Sequence, residues 1–232
     1  MASIAMIGIA QADTGSIKGM VKFTGEKPTQ MAIDLGADKK CSANHTEVLY
    51  APKTVVGENG EVQSAFVWIA KALGDTPTLD GQTFPAPEGK VVLDQTGCMF
   101  EPHVWAIRVG QNLEIRNNDD TLHNVHALPK VNKEFNLAMP IKGMIVKKVF
   151  TKPEMGVKFK CDVHPWMASY GFVMDHPLYA VSSADGSFEI KGVPAGNYGV
   201  SIWHPGFKGK GKKVTVEAGK DASLDFELSA GE

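Results

Sequence analysis

Short runs in which apolar and polar residues alternate recur along most of the chain. In the first run, residues 15–24, Lys18 and Lys22 alternate with apolar side chains. A period of two is the pattern of a β-strand with one buried face. The side chains expected to face a core there are Ile17, Phe23 and either Met20 or Val21. The later strand-like runs are 91–93, 100–109, 113–116, 157–161, 171–174, 185–190, 199–203, 213–216 and 224–228.

Turn-rich segments separate these runs, and no segment carries a convincing helical pattern. Residues 25–60 are irregular and polar, and residues 74–90 are rich in Pro, Gly, Asp and Thr. The apolar run at 65–70 fits a buried strand or a short helix, because periodicity does not separate the two. The 24 glycines and 13 prolines act mostly as punctuation between short strands. The pattern therefore predicts an all-β protein.

Composition narrows the class of protein. A hydrophobic content of 43% supports a packed core, and a formal net charge of −2 gives no basic excess for nucleic acid. Residues 1–12 are apolar and end in Ala-Gln-Ala, which is typical of the later part of a signal peptide, although the positive beginning is missing. A buried first strand is the alternative. No later segment has the ~20 apolar residues of a transmembrane helix, so we expect a soluble protein, periplasmic or otherwise exported.

The segment with the most distinctive chemistry runs from Cys161 to Met167 and reads Cys-Asp-Val-His-Pro-Trp-Met. It places a thiolate, the imidazole of His164 and a thioether within one short loop. A second imidazole, His123, lies upstream in Asn-Asn-Asp-Asp-Thr-Leu-His-Asn-Val. Two imidazoles, one thiolate and a weak axial thioether are the ligand set of a blue-copper site. The alternation at 157–161 places Cys161 on the buried face, where such a ligand is needed.

These segments resemble the cupredoxin family. Cys161–Met167 is similar to an amicyanin-like ligand loop, and His123-Asn124-Val125 is similar to the first-histidine segment of the plastocyanin type. The resemblance covers about residues 87–176 and implies a Greek-key β-sandwich with one type 1 copper ion. It implies that the copper ligands are His123, Cys161, His164 and Met167. One departure is Asp162, where small hydroxyl residues are common; it should shift the potential without removing the site.

The same resemblance suggests roles for residues around the ligands. Asn124 would join the two ligand segments by hydrogen bonding. In cupredoxins the C-terminal histidine ligand reaches the surface through an apolar patch, which would make the His164 edge an electron port. Leu122, Pro165 and Trp166 would then form the docking surface around it. Alternatively, an additional domain covers these apolar residues.

The remaining cysteines and histidines leave two arrangements open. Cys41 and Cys98 are expected to form a disulfide in an oxidising compartment, since Cys161 is needed at the metal. They could instead form a second metal site with His45 and His103. His126 follows His123 by three residues and should lie on the opposite face of its strand. We therefore expect His126 at the surface or beside the ligands.

The C-terminal block, which begins Asp185-Gly-Ser-Phe-Glu-Ile, resembles the carboxypeptidase regulatory-like (transthyretin-like) β-sandwich. Such domains usually open with a strand like residues 15–21. The block alone offers about four strands, few for a stable sandwich. We therefore expect residues 13–86 and 177–232 to form one sandwich interrupted by the cupredoxin domain at 87–176, with two separate modules as the alternative.

The resulting expectation is an exported electron carrier, not an enzyme, that serves redox partner proteins such as a cytochrome, an oxidase or a dehydrogenase. Two alternatives remain. One is a copper chaperone or storage protein with accessible, exchangeable ligands. The other is an electron-transfer subunit of a larger oxidoreductase. The sequence offers no second convincing ligand set for an independent copper enzyme, and no catalytic Ser-His-Asp arrangement.

Overall fold

The computed structural model describes residues 14–36, 38–74, 79, 84–85 and 87–231. The expected leader, residues 1–12, lies outside the described residues. Strands dominate the regular structure of the described part, which confirms the all-β prediction. In chain order the strands are β1 Thr14–Phe23, β2 Phe66–Ala72, β3 Lys90–Thr96, β4 Met99–Glu101, β5 Val104–Arg108, β6 Asn112–Asn117, β7 His123–Leu128, β8 Phe135–Met139, β9 Met144–Val149, β10 Glu154–Lys160, β11 Ala168–Met174, β12 Tyr179–Val181, β13 Ser187–Pro194, β14 Gly196–Trp203, β15 Phe207–Gly209, β16 Lys212–Val216, β17 Asp221–Ser223 and β18 Phe226–Ala230.

Two short helical turns lie in the stretch that the sequence analysis left irregular. Helix α1 is Lys39–Ala43, and a 3-10 turn spans Pro52–Thr54. The side chain of Asp38 caps α1 by accepting hydrogen bonds from the N–H groups of Lys40 and Cys41. With five residues, α1 is too short to show an apolar period in the sequence. Within the described part of the chain, no helix is long and apolar enough to cross a membrane.

The chain divides into two compact units, each built from separate segments. The first unit comprises Met1–Lys27, Val56–Thr83 and Leu178–Glu232, and the second comprises Pro28–Val55 and Phe84–Pro177. The main difference from the expected boundaries is that residues 28–55 belong to the second unit. This polar segment has no strand pattern that would show where it packs. A disulfide between Cys41 and Cys98 joins this segment covalently to the rest of the second unit.

The first unit contains two sheets, of strand order β13-β1-β18-β15, with β17 also paired to β1, and β12-β2-β14-β16. Strand β1 is antiparallel to β13 and parallel to β18, so the beginning of the chain pairs with its C-terminal part. The apolar run at 65–70 forms most of β2, which lies inside its sheet between β12 and β14. That position explains its apolar character, because Phe66, Val67 and Ile69 are fully buried.

The second unit is a β-sandwich whose two sheets have the orders β5-β11-β10-β7-β8 and β4-β3-β6-β9. One core contains side chains from both sheets, including Leu93 and Ile115 from the smaller sheet and Val125 and Phe159 from the larger. The strands alternate around this core with a period of two. The larger sheet carries both segments that the sequence analysis assigned to metal ligands.

Strand β10 brings the cysteine into the core as its alternation predicts. Val157, Phe159 and Cys161 are 1%, 0% and 1% exposed, so all three face inward. The Phe159 ring lies 5.1 Å from the ring of Trp105. Cys161 directly follows β10 and lies next to this aromatic packing, which fixes the backbone from which the thiol projects.

Candidate metal centre

His123 is held by two neighbouring strands and is completely buried. It is the first residue of β7, and its register partner on β8 is Met139. Its ring is 0% exposed, and Val125 and Ala127, which share its side of β7, are buried in the core. The alternation of β7 places His126 on the opposite side, where it is partly exposed. One strand therefore supplies an inward imidazole and an outward one.

The Cys161–Met167 loop closes on itself through backbone hydrogen bonds. The N–H of Cys161 donates to the carbonyl of Met167 at 3.2 Å, and the N–H of Met167 donates to the carbonyl of His164 at 2.9 Å. These bonds place the cysteine and methionine backbones side by side at the two ends of the loop. Met167 is 0% exposed and belongs to the same core cluster as Cys161.

The donor atoms of His123, Cys161 and His164 converge at one buried point. The two Nδ1 atoms are 2.9 Å apart, and the Cys161 Sγ atom lies 3.8 Å from His164 Nδ1. One ligand atom from each of the three residues lies within 4.8 Å of the others. His164 is 2% exposed and Cys161 1% exposed, so water has little access to the group.

The hydrogen bonds of both imidazoles fit a metal site. His123 Nε2 lies 2.9 Å from Asp119 Oδ2, and His164 Nε2 lies 3.1 Å from Asp38 Oδ2. A carboxylate on one ring nitrogen orients the other nitrogen towards a metal and raises its basicity. Here that other nitrogen is Nδ1 in both residues. Two imidazole nitrogens with a thiolate suit both oxidation states of copper, so the donor set fits the ion that the sequence suggested.

Hydrogen bonds and charges within the buried group raise the pKa of His123 and lower the pKa of Cys161. Burial lowers the pKa of His123, but hydrogen bonds and charges from Asp119 and Cys161 outweigh it and raise that pKa to about 9. Burial raises the pKa of Cys161, yet hydrogen bonds from His123 and the backbone of Asn124 bring it below its ordinary value. The protein without metal therefore holds a proton where a metal would bind.

We expect copper binding to release this proton. At neutral pH the raised pKa of His123, about 9, keeps its imidazole protonated, so a metal at Nδ1 must displace the proton held there. The affinity should then increase as the pH rises towards that pKa. Calorimetric titrations with Cu(II) in two buffers of different ionisation enthalpy measure the proton count. No proton release at neutral pH would contradict the arrangement, and release should fade above the pKa.

Asn124 joins the two ligand segments. Its Oδ1 atom accepts a hydrogen bond from the N–H of Asp162 at 2.7 Å and lies 3.3 Å from the Cys161 Sγ atom. Its Nδ2 group donates to the Asp162 carboxylate at 2.9 Å. Asp162 also binds Lys160 at 2.7 Å, which contributes most to holding the pKa of its carboxyl below the ordinary range. Asp162, which stands where small hydroxyl residues are common in cupredoxins, thus anchors the Cys161–Met167 loop.

The imidazole edge of His164 does not reach the surface. It is covered by Asp38 and by Cys41, whose Sγ atom is 3.6 Å from His164 Nε2. The cover comes from residues 28–55 of the same unit, which corrects the expectation of an exposed histidine edge. Of the three residues expected around the port, Leu122 is 45% exposed, Pro165 is exposed and Trp166 is partly buried. Their docking role remains a prediction.

Cys41 and Cys98 form a disulfide, so neither sulfur is a free thiolate for a second metal site. His45, considered for that site, places Nε2 2.7 Å from the carbonyl of Gly97. His103 places Nδ1 2.9 Å from the carbonyl of Ala168. Among the described cysteines, Cys161 alone is free, and it is buried.

The two carboxylates, Asp38 and Asp119, were not among the residues that the sequence pattern predicted for the site. Asp119 stands four residues before His123 within the segment that carried the cupredoxin resemblance, so its place in the chain offered a signal. Asp38 offered none, because it lies 126 residues from His164 in a segment without a strand pattern. Only the folded chain brings it to the imidazole.

Comparisons with known proteins give two kinds of similarity. Residues 174–229 match the sequence model of the carboxypeptidase regulatory-like domain, which confirms that resemblance. A comparison with curated proteins gave no match.

Similar solved structures include a methionine mutant of amicyanin in the Cu(I) form, 24% identical over 39% of this chain and 87% of that one, with a TM-score of 0.33. A purple cupredoxin from Nitrosopumilus maritimus is 21% identical over 37% of this chain and 100% of that one, with a TM-score of 0.32. A copper-containing nitrite reductase from Thermus scotoductus SA-01 is 24% identical over 39% of this chain and 24% of that one, with a TM-score of 0.33. The chain thus combines a carboxypeptidase regulatory-like segment with structural similarity to copper proteins that include cupredoxins.

Proposed function

We propose that this protein is an exported type 1 copper protein that carries single electrons between redox partner proteins. One observation carries the proposal: His123 Nδ1, His164 Nδ1 and Cys161 Sγ converge while a carboxylate occupies each Nε2. That arrangement leaves three donors of the right chemistry for copper. Met167, buried at the end of the same loop, is the proposed axial ligand.

Copper held by such residues supplies reversible one-electron transfer. The chain would contribute a buried site whose ligands are held in place. The loop hydrogen bonds fix Cys161 against Met167, Asn124 holds the loop to β7, and the sandwich core packs beneath them. Side chains fixed in this way need to move little when the charge at the site changes, which favours fast electron transfer.

The exit for the electron is proposed to run through Trp166. Its ring lies 5.0 Å from the ring of His164, and its Nε1–H donates to the carbonyl of Cys98 at 3.0 Å. The indole is partly exposed, whereas the His164 ring is covered. Leu122 and Pro165 are exposed and would contribute apolar contact to a cytochrome, an oxidase or a dehydrogenase.

Burial of the ligands favours a carrier over a chaperone, and the disulfide bears on the compartment. A chaperone needs accessible ligands that exchange copper, and His123, Cys161 and His164 are at most 2% exposed. The disulfide between Cys41 and Cys98 supports an oxidising compartment, in line with an exported protein. An electron-transfer subunit of a larger oxidoreductase would differ from a carrier only in binding its partner permanently. In either role, we propose that the chain itself is not an enzyme.

The test is to load the full chain with Cu(II) and combine visible spectroscopy with protein-film voltammetry. We expect one copper per chain, an intense thiolate-to-copper band and a reversible one-electron wave. Copper should leave only slowly to a Cu(I) chelator added to the reduced protein. A colourless Cu(II) complex would overturn the assignment of a type 1 copper site. An intense band with rapid copper loss to the chelator would favour the chaperone.

A further inference from the structure

We infer that the Cys41–Cys98 disulfide acts with Asp38 and Asp119 as a clamp that positions both imidazole ligands. The inference rests on the proposed copper site and extends it. Each half-cystine donates its backbone N–H to one of the two carboxylates, and each carboxylate faces the Nε2 atom of one imidazole. Through these hydrogen bonds, both imidazole ligands are connected to the same disulfide.

The Asp119 arm is deeply buried and holds His123. Asp119 Oδ1 accepts the N–H of Gly97 at 2.7 Å, and Oδ2 accepts the N–H of Cys98 at 2.7 Å while facing His123 Nε2 at 2.9 Å. The N–H of Asp119 itself donates to Asn117 Oδ1 at 3.0 Å. Its side chain is 5% exposed, so water does not replace these contacts. This arm has anchors besides the half-cystine.

The Asp38 arm holds His164 and depends more on the disulfide. Asp38 Oδ1 accepts the N–H of Lys40 at 2.7 Å and of Cys41 at 3.2 Å. Asp38 Oδ2 faces His164 Nε2 at 3.1 Å and accepts from Thr121 Oγ1 at 3.3 Å. The residues that donate to Oδ1 belong to α1, whose buried residue is Cys41. A five-residue helix has little stability of its own, so the bond to Cys98 keeps α1 and Asp38 in place.

The two arms should therefore respond differently to loss of the disulfide. The His123 arm keeps Gly97 and Asn117 as anchors, whereas the His164 arm loses the covalent link that holds α1. Loss of the disulfide should reproduce the effect of losing the Asp38 carboxylate. Removing both the disulfide and the Asp38 carboxylate should then weaken copper binding little more than removing either one. The second change acts on a contact that is already lost.

The test is a double-mutant cycle on copper-loaded full-length protein. The variants are D38N, D119N, the pair C41A/C98A, and D38N combined with that pair. Asparagine places an N–H₂ group where a carboxylate oxygen accepts hydrogen bonds, and alanine adds no hydroxyl that could bind His164 Nε2. D221N is the matched control, since Asp221 is an exposed aspartate of the first unit that pairs with Lys18 at the surface. Readouts are Cu(II) affinity, the visible and electron paramagnetic resonance spectra, and thermal unfolding of the copper-free protein.

We expect D38N and D119N each to weaken copper binding by about 10- to 100-fold, the range typical for partners of metal-bound histidines. The thiolate-to-copper band should persist in both variants but move to a different wavelength. The shift in wavelength should be larger in D119N. The pair C41A/C98A should resemble D38N, and adding D38N to it should change the affinity by less than about twofold, since coupled changes are not additive. D221N should match the wild type.

The clamp would be overturned if the losses of affinity in D38N and in C41A/C98A multiplied in the combined variant. Wild-type spectra and affinity in D38N and D119N would also overturn it. If C41A/C98A does not fold, wild-type spectra and affinity in the two asparagine variants still overturn the clamp. Failure of the proposed function looks different. In that case the wild-type protein itself shows no thiolate-to-copper band, before any variant is compared.

Discussion

Replacing Cys161 by serine is expected to abolish the intense visible band of the copper-loaded protein and to weaken Cu(II) binding by at least about a hundredfold, more than the loss of an outer hydrogen-bonding partner. In the proposed copper site, the thiolate is the donor that would give the charge-transfer absorption and that suits Cu(I). Serine keeps the size of the side chain and can still lie near Asn124 Oδ1, which is 3.3 Å from the native sulfur. The fold should therefore survive while the chemistry is lost.

The measurement is a copper titration followed by visible absorption and by competition with a chelator of known affinity. Substitution of His126 by glutamine is the control, because this imidazole lies on the outer side of β7 and binds Asp162 and Glu134. That variant should keep the band. A band that survives in the serine variant would exclude Cys161 as the source of the absorption.

Replacing Phe159 by alanine is expected to lower the free energy of unfolding of the second unit by about 3–5 kcal/mol, as is usual when a buried phenylalanine leaves a cavity. The ring is 0% exposed and lies against the rings of Trp105, Phe135 and Phe150, at 5.1, 6.3 and 6.3 Å. Phe159 is also two residues before Cys161 on the same face of the chain. The cavity should therefore loosen the Cys161–Met167 loop as well.

Urea unfolding followed by near-ultraviolet circular dichroism measures the stability, and the width of the copper resonance measures the order of the site. Leucine at the same position is the matched control, since it fills most of the volume of the phenylalanine ring. It should lower the free energy of unfolding much less than alanine does. Equal stability of the alanine variant and the wild type would contradict the packing assigned to this core.

Local pattern was sufficient for much of the second unit. The alternation through Val157, Phe159 and Cys161 predicts which face is buried, because a period of two is a local property of the chain. The same reasoning separates His123 from His126. The order of histidine, cysteine, histidine and methionine identifies a candidate site because three of the four residues lie in one loop.

Long-range features were beyond the sequence patterns. Residues 28–55 lack periodicity, so neither their place in the second unit nor the cover of His164 by Asp38 could be inferred. The apolar run at 65–70 left strand and helix equally open until pairing with β12 and β14 placed it inside a sheet. Hydrogen bonds across more than a hundred residues depend on tertiary packing, which no local spacing encodes.

Copper K-edge X-ray absorption on the loaded full chain reports the atoms bound to the metal. If copper binds to the two imidazoles and the thiolate, we expect one short sulfur shell together with two imidazole nitrogens. The sulfur shell should disappear when Cys161 is replaced by serine. A shell of nitrogen and oxygen alone in the wild-type protein would exclude the proposed copper site.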